Sequence, residues 1–187
     1  MDKITKVSPL VNPHFIKPIK LEYTLDGESK KEWEAIISHD SVSILLYHKQ
    51  KDAFIIVKQL RAPVLNANKK DGMMYELCAG IVDKNKSLAE IAKEEILEEC
   101  GYDVPLQNIQ RISAFYTSVG ISGAKQTLFY AEIDECMKRN EGGGLEEEDI
   151  EVITLPLETV KTFMFDEHYQ KTPGMMMAFY WFFDTKQ

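Results

Sequence analysis

The feature that most constrains this chain is the stretch GIVDKNKSLAEIAKEEILEECGY, residues 80–102, in which acidic residues interrupt an apolar helix face. Its second half predicts a helix, because Ser87 is a favourable N-cap and Gly101 is a typical helix terminator. On a helical wheel of about 100° per residue, one apolar arc forms that should face the protein core. Its members are Leu88, Ile91, Ala92, Ile96 and Cys100.

Three glutamates lie on or beside this apolar arc. With Leu88 at zero, Glu95 falls at about 340° and Glu99 at about 20°, inside the arc, and Glu98 falls on its edge. A buried carboxylate without a partner costs several kcal/mol, and like charges at i,i+4 repel each other. No basic residue lies on the arc, since Lys93 projects near 140°. The arrangement therefore predicts a bound divalent cation.

Composition restricts the class of protein. A chain of 187 residues is long enough for one domain with a full core, and its net charge of −8 argues against nucleic acid as a partner. Its three cysteines are an odd number without CxxC spacing, which predicts reduced thiols and a cytoplasmic protein. The N-terminus lacks the apolar core of a signal peptide. The longest apolar run, at 175–183, is about half of the roughly 20 residues that span a bilayer.

Hydrophobic periodicity predicts an α/β sandwich around a mixed sheet, preceded by a β-hairpin. The hairpin strands are expected at 19–25 and 31–37 around the turn Asp26-Gly27, which divides the chain into an arm with a hairpin (1–38) and a main domain (39–187). Further strands are expected at 41–47, 53–57, 73–78, 109–116, 127–133 and 150–155. Pro63 should end the second of these, and 66–72 should be a polar loop. Helices are expected at 157–163 and 172–183, the latter hydrophobic nearly all round and therefore buried in the core or in a dimer interface.

The unit of strand, glycine, loop and helix at 80–102 resembles the Nudix hydrolase signature, G-x5-E-x7-R-E-U-x-E-E-x-G-U, where U is an aliphatic residue. The spacing is complete and the E-U-x-E-E-x-G core is intact. Two charged positions depart from the pattern, because Lys86 stands where the signature has Glu and Glu94 where it has Arg. Tyr102 is a milder departure.

The resemblance continues outside the signature. The segments HDSVSILL, VKQLRAPV, YELCAGIVD, SVGISGAKQT and GGGLEEEDIEVITLPLE are similar to the uridine diphosphate glucose pyrophosphatase branch, near the ADP-ribose pyrophosphatases, over roughly residues 18–183. This implies metal-dependent hydrolysis of a nucleoside diphosphate sugar, with UDP-glucose giving UMP and glucose 1-phosphate. An ADP-ribose or ADP-sugar pyrophosphatase is one alternative, although Ser118-Val119-Gly120 stands where those relatives often carry a proline. A non-catalytic module that binds a nucleotide sugar is another.

The resemblance assigns metal ligands that agree with the wheel. Glu95, Glu98 and Glu99 would hold Mg²⁺, or alternatively Mn²⁺, with the carbonyl of Ala79 as a further ligand. Hard carboxylate and carbonyl oxygens suit Mg²⁺, which also keeps waters and substrate phosphates in its shell. A solvated helix face, the common alternative for a charge run, does not explain the positions of Glu95 and Glu99.

A glycine hinge and an acid cluster follow at 139–149 and are typical of a mobile catalytic loop. In related pyrophosphatases a glutamate of this loop is a general base or an extra metal contact, which here points to Glu146 or Glu148. Together with Glu98 they are the candidate catalytic residues. A disordered acidic loop is the alternative.

Four residues are candidates for substrate binding. Arg61 could grip a phosphate with its planar fork, and Lys58 lies near it at the end of the same expected strand. Lys125 lies in a Gly/Ser loop that could approach a ligand closely. Trp33 could stack on a base, as an aromatic residue of the N-terminal sheet does in the ADP-ribose relatives, where that sheet also forms a homodimer. Surface charge for the three cations, and a core or interface position for Trp33, are the alternatives.

The two departures from the signature suggest a compensating ion pair. In the family, the arginine of the signature is thought to hold the glutamates in place. Lys86 and Glu94 could form the same loop-to-helix tie with inverted polarity, and a separation of their charged groups beyond about 6 Å would exclude this. Alternatively, Lys84, Lys93 or solvent takes over the role, or catalysis is weakened.

Overall fold

The computed structural model describes residues 3–13, 16–27, 29–145 and 148–186. In chain order its strands and helices are β1 (Lys17–Tyr23), β2 (Lys31–Ile37), β3 (Ser41–His48), β4 (Ala53–Leu60), α1 (Ala62–Asn68), β5 (Met73–Glu76), β6 (Cys78–Ile81), α2 (Leu88–Cys100), β7 (Gln110–Tyr116), β8 (Lys125–Ile133), β9 (Ile150–Pro156), α3 (Leu157–Phe165) and α4 (Pro173–Thr185). Within these described ranges, no helix has both the length and the apolar composition to cross a membrane.

The central sheet is mixed. Strands β5, β4, β3, β8 and β7 follow one another across it, while β6 pairs with β3 and β9 pairs with β4. β3 and β8 run parallel, from Ser41 opposite Gln126 to His48 opposite Ile133, and the other pairs are antiparallel. This confirms the expected mixed sheet.

Alternate side chains of the central strands enter two separate cores. Ile44 and Leu46 of β3 face the core that α2 covers, whereas Leu45 faces the core that α3 and α4 cover. Because successive strand residues point to opposite faces, a strand that is apolar throughout must be covered on both sides. The structure therefore confirms the α/β sandwich. α4 is buried on one face only, since Tyr180 remains 55% exposed.

The N-terminal hairpin forms its own two-stranded sheet. Its first strand begins two residues earlier than the expected residue 19. The turn lies at Asp26 and Gly27, as the sequence predicts, and both residues have positive φ. The hairpin contacts the loop that follows β7, because the indole N–H of Trp33 donates to the carbonyl of Gly120 at 2.9 Å. The backbone N–H of Ile36 also donates to the carbonyl of Ile121 at 2.7 Å.

The polar loop expected at 66–72 was wrong in part, because its first three residues complete helix α1. Pro63 does end the extended strand, but it also occupies the first turn of this helix, where its missing N–H is no loss. Leu65 is the buried residue that fixes the helix to the protein. The sequence pattern failed because seven residues with one apolar anchor give no helical period.

The single strand expected at 73–78 was also wrong. It divides into β5, which pairs with β4, and the start of β6, which pairs with β3. Leu77 lies at the division, and its side chain enters the core beneath α3 and α4. The chain thus changes its partner strand just before Ala79 and Gly80, and this carries both residues to the rim of the sheet beside α2.

Candidate active site

Helix α2 begins and ends where the sequence predicts. The Ser87 hydroxyl accepts the N–H of Glu90, and the Glu90 carboxylate accepts the N–H of Ser87, which forms a capping box. Gly101 ends the helix in the left-handed conformation with φ 79°. These two caps fix the register of α2, and its inward face therefore carries the glutamates identified on the wheel.

A cleft of about 530 Å³ opens beside this face of α2, where β4 and β6 end and β3 and β8 begin. The strand ends contribute a glycine, amides and a hydroxyl, α2 contributes three carboxylates, and the adjoining loops contribute further charged groups. The lining residues are Ser41, Gln59, Arg61, Glu76, Ala79, Gly80, Ile81, Asp83, Lys84, Glu95, Glu98, Glu99, Gln126, Leu145 and Glu148.

Glu99 is the most buried of the three helix glutamates, with 5% of its surface exposed. One of its carboxylate oxygens accepts the backbone N–H of Ala79 at 2.9 Å. Burial raises the pKa of Glu99 to about 8, although the Ala79 bond opposes this shift. A carboxylate held in this environment is a strong acceptor for a cation, because a cation would restore the stabilisation that water no longer gives.

Glu95 packs directly over the backbone of Gly80. A side chain at position 80 would place its Cβ 2.5 Å from the Cγ of Glu95 and closer still to the carboxylate. Burial, followed by repulsion from Glu98, raises the pKa of Glu95 to about 7. The glycine of the motif is therefore required by the close approach of this glutamate.

The glutamates fit a divalent cation by donor chemistry and by charge. They offer carboxylate oxygens, which Mg²⁺ and similar ions prefer, and Glu95 makes no hydrogen bond or ion pair with another described residue. Among the described residues, no three His, Cys, Asp or Glu side chains converge tightly enough to form a finished metal cluster.

Arg61 reaches the cleft as part of a bidentate ion pair that the sequence did not reveal. Its Nε and one Nη donate to the two carboxylate oxygens of Glu76 at 2.7 and 2.8 Å. Glu76 is 9% exposed, so the pair is partly desolvated and its planar geometry is fixed. The one signal for Glu76 in the sequence is a single acid within the apolar run MMYELC.

The glycine loop after β8 is joined to the C-terminal end of α2. The N–H groups of Gly143 and Gly144 donate to the carbonyls of Glu99 and Glu98 at 2.9 and 3.1 Å. These bonds satisfy carbonyls that a helix end leaves free. They also bring Glu148 into the cleft lining, where its carboxylate accepts the N–H of Leu145 at 2.9 Å.

Comparison with known proteins decides the family. No family model matches the chain. A uridine diphosphate glucose pyrophosphatase from Bos taurus is 35% identical over 197 residues, covering 90% of this chain and 88% of the relative. Its counterpart of the same name from Mus musculus is 35% identical over 98% of this chain and 96% of the relative. The chain belongs to the Nudix hydrolase family.

Other Nudix relatives are named for a different substrate. A GDP-mannose pyrophosphatase from Pectobacterium atrosepticum is 38% identical over 138 residues, covering 74% of this chain and 70% of the relative. Nudix pyrophosphatases of this kind generally use divalent metal ions. The Nudix signature at 80–102 contributes Gly80 and the three helix glutamates to the lining of the cleft.

The inverted ion pair in the Nudix signature is present. Lys86 donates directly to one carboxylate oxygen of Glu94, which confirms the proposed tie between loop and helix. Lys84 donates to the other oxygen at 3.3 Å. Lys93, the other basic candidate, instead pairs with Asp103 at 3.1 Å.

The remaining predicted site residues lie away from the lining of the Nudix cleft. Lys58 pairs with Glu151 at 3.0 Å, and the Lys125 ammonium lies 5.2 Å from the ring centroid of Tyr116. Trp33 binds the loop carbonyl described above and is 51% exposed. Their predicted contacts with substrate stay predictions, and Glu146 lies outside the described residues.

Proposed function

We propose that this protein hydrolyses the pyrophosphate bond of a nucleoside diphosphate sugar, with UDP-glucose giving UMP and glucose 1-phosphate. The observation that carries the proposal is that the three helix glutamates, Arg61 and Glu148 line one cleft. The choice of UDP-glucose is supported by the names of the two mammalian relatives, which align with this chain along most of their length.

The charge of the cleft supports a requirement for divalent cations. Its described lining carries six acids, Glu76, Asp83, Glu95, Glu98, Glu99 and Glu148, against the two bases Arg61 and Lys84. This excess would repel a pyrophosphate. Glu95, Glu98, Glu99 and the Ala79 carbonyl would hold Mg²⁺, or Mn²⁺ in its place. When bound, the ions neutralise the phosphates and lower the pKa of a coordinated water.

The residues of the chain have separable roles in this reaction. Arg61, oriented by Glu76, grips a phosphate with the donors that Glu76 leaves free. Glu148 accepts a proton from the water whose oxygen attacks phosphorus, and the bond from phosphorus to the bridging oxygen breaks. Glu146, which lies outside the described residues, is the alternative base. Lys58, Lys125 and Trp33 are proposed to contact the outer parts of the substrate.

The test is steady-state hydrolysis of UDP-glucose, GDP-mannose and ADP-ribose with Mg²⁺, with Mn²⁺ and with EDTA. UDP-glucose should give the highest kcat/KM, and EDTA should abolish turnover. GDP-mannose is the second candidate because relatives named for it align with 70% or more of this chain. Binding without turnover of any of the three would instead support the non-catalytic module. Glu148→Gln should reduce kcat about 10²-fold or more, as expected for loss of a general base.

The exposed hairpin supports a proposed homodimer and the proposed division of the chain at residue 38. Leu21, Leu25, Trp33 and Ile37 are each 45–51% exposed, and an isolated hairpin is marginally stable in water. Size-exclusion chromatography with light scattering should give twice the mass of the chain, and Leu21→Glu should shift the protein towards monomer. A monomeric wild type at micromolar concentration would contradict the dimer.

A cytoplasmic location is also proposed, because the buried Cys78 and Cys100 are free thiols.

A further inference from the structure

The two basic residues of the described cleft lining are held in different ways. Arg61 is bound to Glu76 by two short hydrogen bonds, so its position is fixed. Lys84 makes one hydrogen bond, 3.3 Å long, to Glu94. Its side chain is 42% exposed. A single long bond to an exposed ammonium is easily exchanged, because the lysine stem is flexible and its charge is not directional.

Glu94 does not depend on Lys84 for its charge to be balanced. Its other carboxylate oxygen is bound by Lys86, and Lys86 is absent from the residues that line the cleft. If Lys84 moves away, Glu94 therefore keeps an ion pair and the tie between loop and helix remains. The two lysines share one carboxylate, but only Lys84 also faces the cleft.

Lys84 remains charged in this position. Burial alone lowers the pKa of its ammonium, but the bond to Glu94 and the nearby charges of Glu98, Glu94 and Glu95 raise the pKa overall. The positive charge therefore lies beside the helix glutamates, on the loop that joins β6 to α2. A pyrophosphate in contact with those glutamates through a cation would lie within the field of this ammonium.

We propose that Lys84 is a second phosphate-binding residue of the cleft, which exchanges its bond to Glu94 for a bond to the substrate pyrophosphate while Lys86 keeps the loop tied to α2. This inference rests on the proposed function and adds a substrate-binding residue to it. Arg61 then provides a fixed phosphate contact, and Lys84 provides one that forms on binding. Both are needed because the surrounding lining is predominantly acidic.

The experiment compares Lys84→Gln with Lys93→Gln, a control that removes a lysine of α2 whose ammonium pairs with Asp103 and which does not line the cleft. Two quantities are measured for each variant: KM for UDP-glucose with Mg²⁺, and affinity for inorganic pyrophosphate with Mg²⁺ by calorimetry. Lys84→Gln should weaken both about tenfold, the value of one charge-assisted hydrogen bond. Lys93→Gln should leave both within about twofold. Lys84→Arg, which keeps the charge, should recover most of the affinity.

Thermal unfolding and Mn²⁺ binding separate a binding role from a structural one. Both should be unchanged in Lys84→Gln, because Lys86 still holds Glu94. Wild-type KM and pyrophosphate affinity in Lys84→Gln would overturn the proposal, and so would equal losses in Lys93→Gln. If the wild type hydrolyses none of the three nucleotide sugars, the proposed function fails, and the pyrophosphate affinity alone decides the role of Lys84.

Discussion

Substituting Gly80 by alanine should separate the activity of this protein from its stability. The φ of Gly80 lies outside the left-handed region, so alanine fits the backbone. The added Cβ would lie 2.5 Å from the Cγ of Glu95, whereas carbon atoms in contact are about 3.5–4.0 Å apart. The carboxylate of Glu95 would lie closer still, so Glu95 must move by at least about 1 Å or change its rotamer, at a cost of about 1 kcal/mol.

The consequence for catalysis should be much larger than the consequence for folding. A displacement of about 1 Å in an active site can reduce the rate about 10²-fold, and Glu95 is a proposed metal ligand. We expect kcat/KM for UDP-glucose to fall about 100-fold and the Mg²⁺ concentration for half-maximal rate to rise. The melting temperature in EDTA should change by only about 2–4 °C, the shift that about 1 kcal/mol gives in a domain of this size.

Two controls test the mechanism of this effect. Gly123→Ala introduces the same methyl group where nothing lies within 4 Å, and it should behave like the wild type. In a Glu95→Ala background the clash disappears, so adding Gly80→Ala should cause no further loss. Wild-type kcat/KM in Gly80→Ala, or a full additional loss in the double variant, would refute the reasoning.

Three further predictions concern the charged groups of the cleft. The pKa of Glu99 is raised to about 8 in the folded protein. Between about pH 4.5 and pH 8 the native state therefore keeps a proton that the unfolded chain loses. In EDTA, the free energy of unfolding should fall as the pH rises through this range. Urea unfolding at several pH values should show this slope. Glu99→Gln should reduce it, and the remainder should come from Glu95, whose pKa is raised to about 7. Equal slopes in the wild type and in Glu99→Gln would contradict the assignment. Arg61→Ala should destabilise the protein by about 1–3 kcal/mol, because it leaves Glu76 buried without its partner. Glu76→Gln should destabilise it less but should raise KM for UDP-glucose. Denaturant midpoints measure the first effect and steady-state kinetics the second. Lys86→Glu alone should lower activity. Combining Lys86→Glu with Glu94→Arg should restore activity, because it remakes the ion pair with the polarity of the Nudix signature. A double variant as impaired as the single one would disprove the tie.

Much of the candidate site was predictable because it lies on one helix. Ser87 and Gly101 fix the ends of α2 by local hydrogen bonding, and the period of 3.6 residues then fixes which side chains face inward. The inverted pair of Lys86 and Glu94 was predictable for a similar reason, since its members are eight residues apart on a loop and the helix that follows it. These features depend on short-range geometry, which sequence spacing expresses directly.

The partner of Arg61 was not predictable in this way. The antiparallel register of β4 and β5 places Glu76 opposite Val57, and the Arg61 side chain must also turn back towards it. Neither the register nor this side-chain direction is encoded by the spacing within either strand. The same limit applies to Lys84 and Lys86, which are equivalent lysines in the sequence. Only the path of the loop places one of them at the cleft.

The sequence by itself determined the α/β sandwich and the placing of three glutamates along one side of α2, and it predicted a cation to balance them. The tertiary structure decided what surrounds those carboxylates. It divided one expected strand into β5 and β6, placed Gly80 beneath Glu95, joined Arg61 to Glu76 and attached the glycine loop to the end of α2. The reason is physical, because helix caps and periodicity are set by neighbouring residues, whereas the contacts that shape the cleft join residues distant in the chain and form only when the sheet assembles.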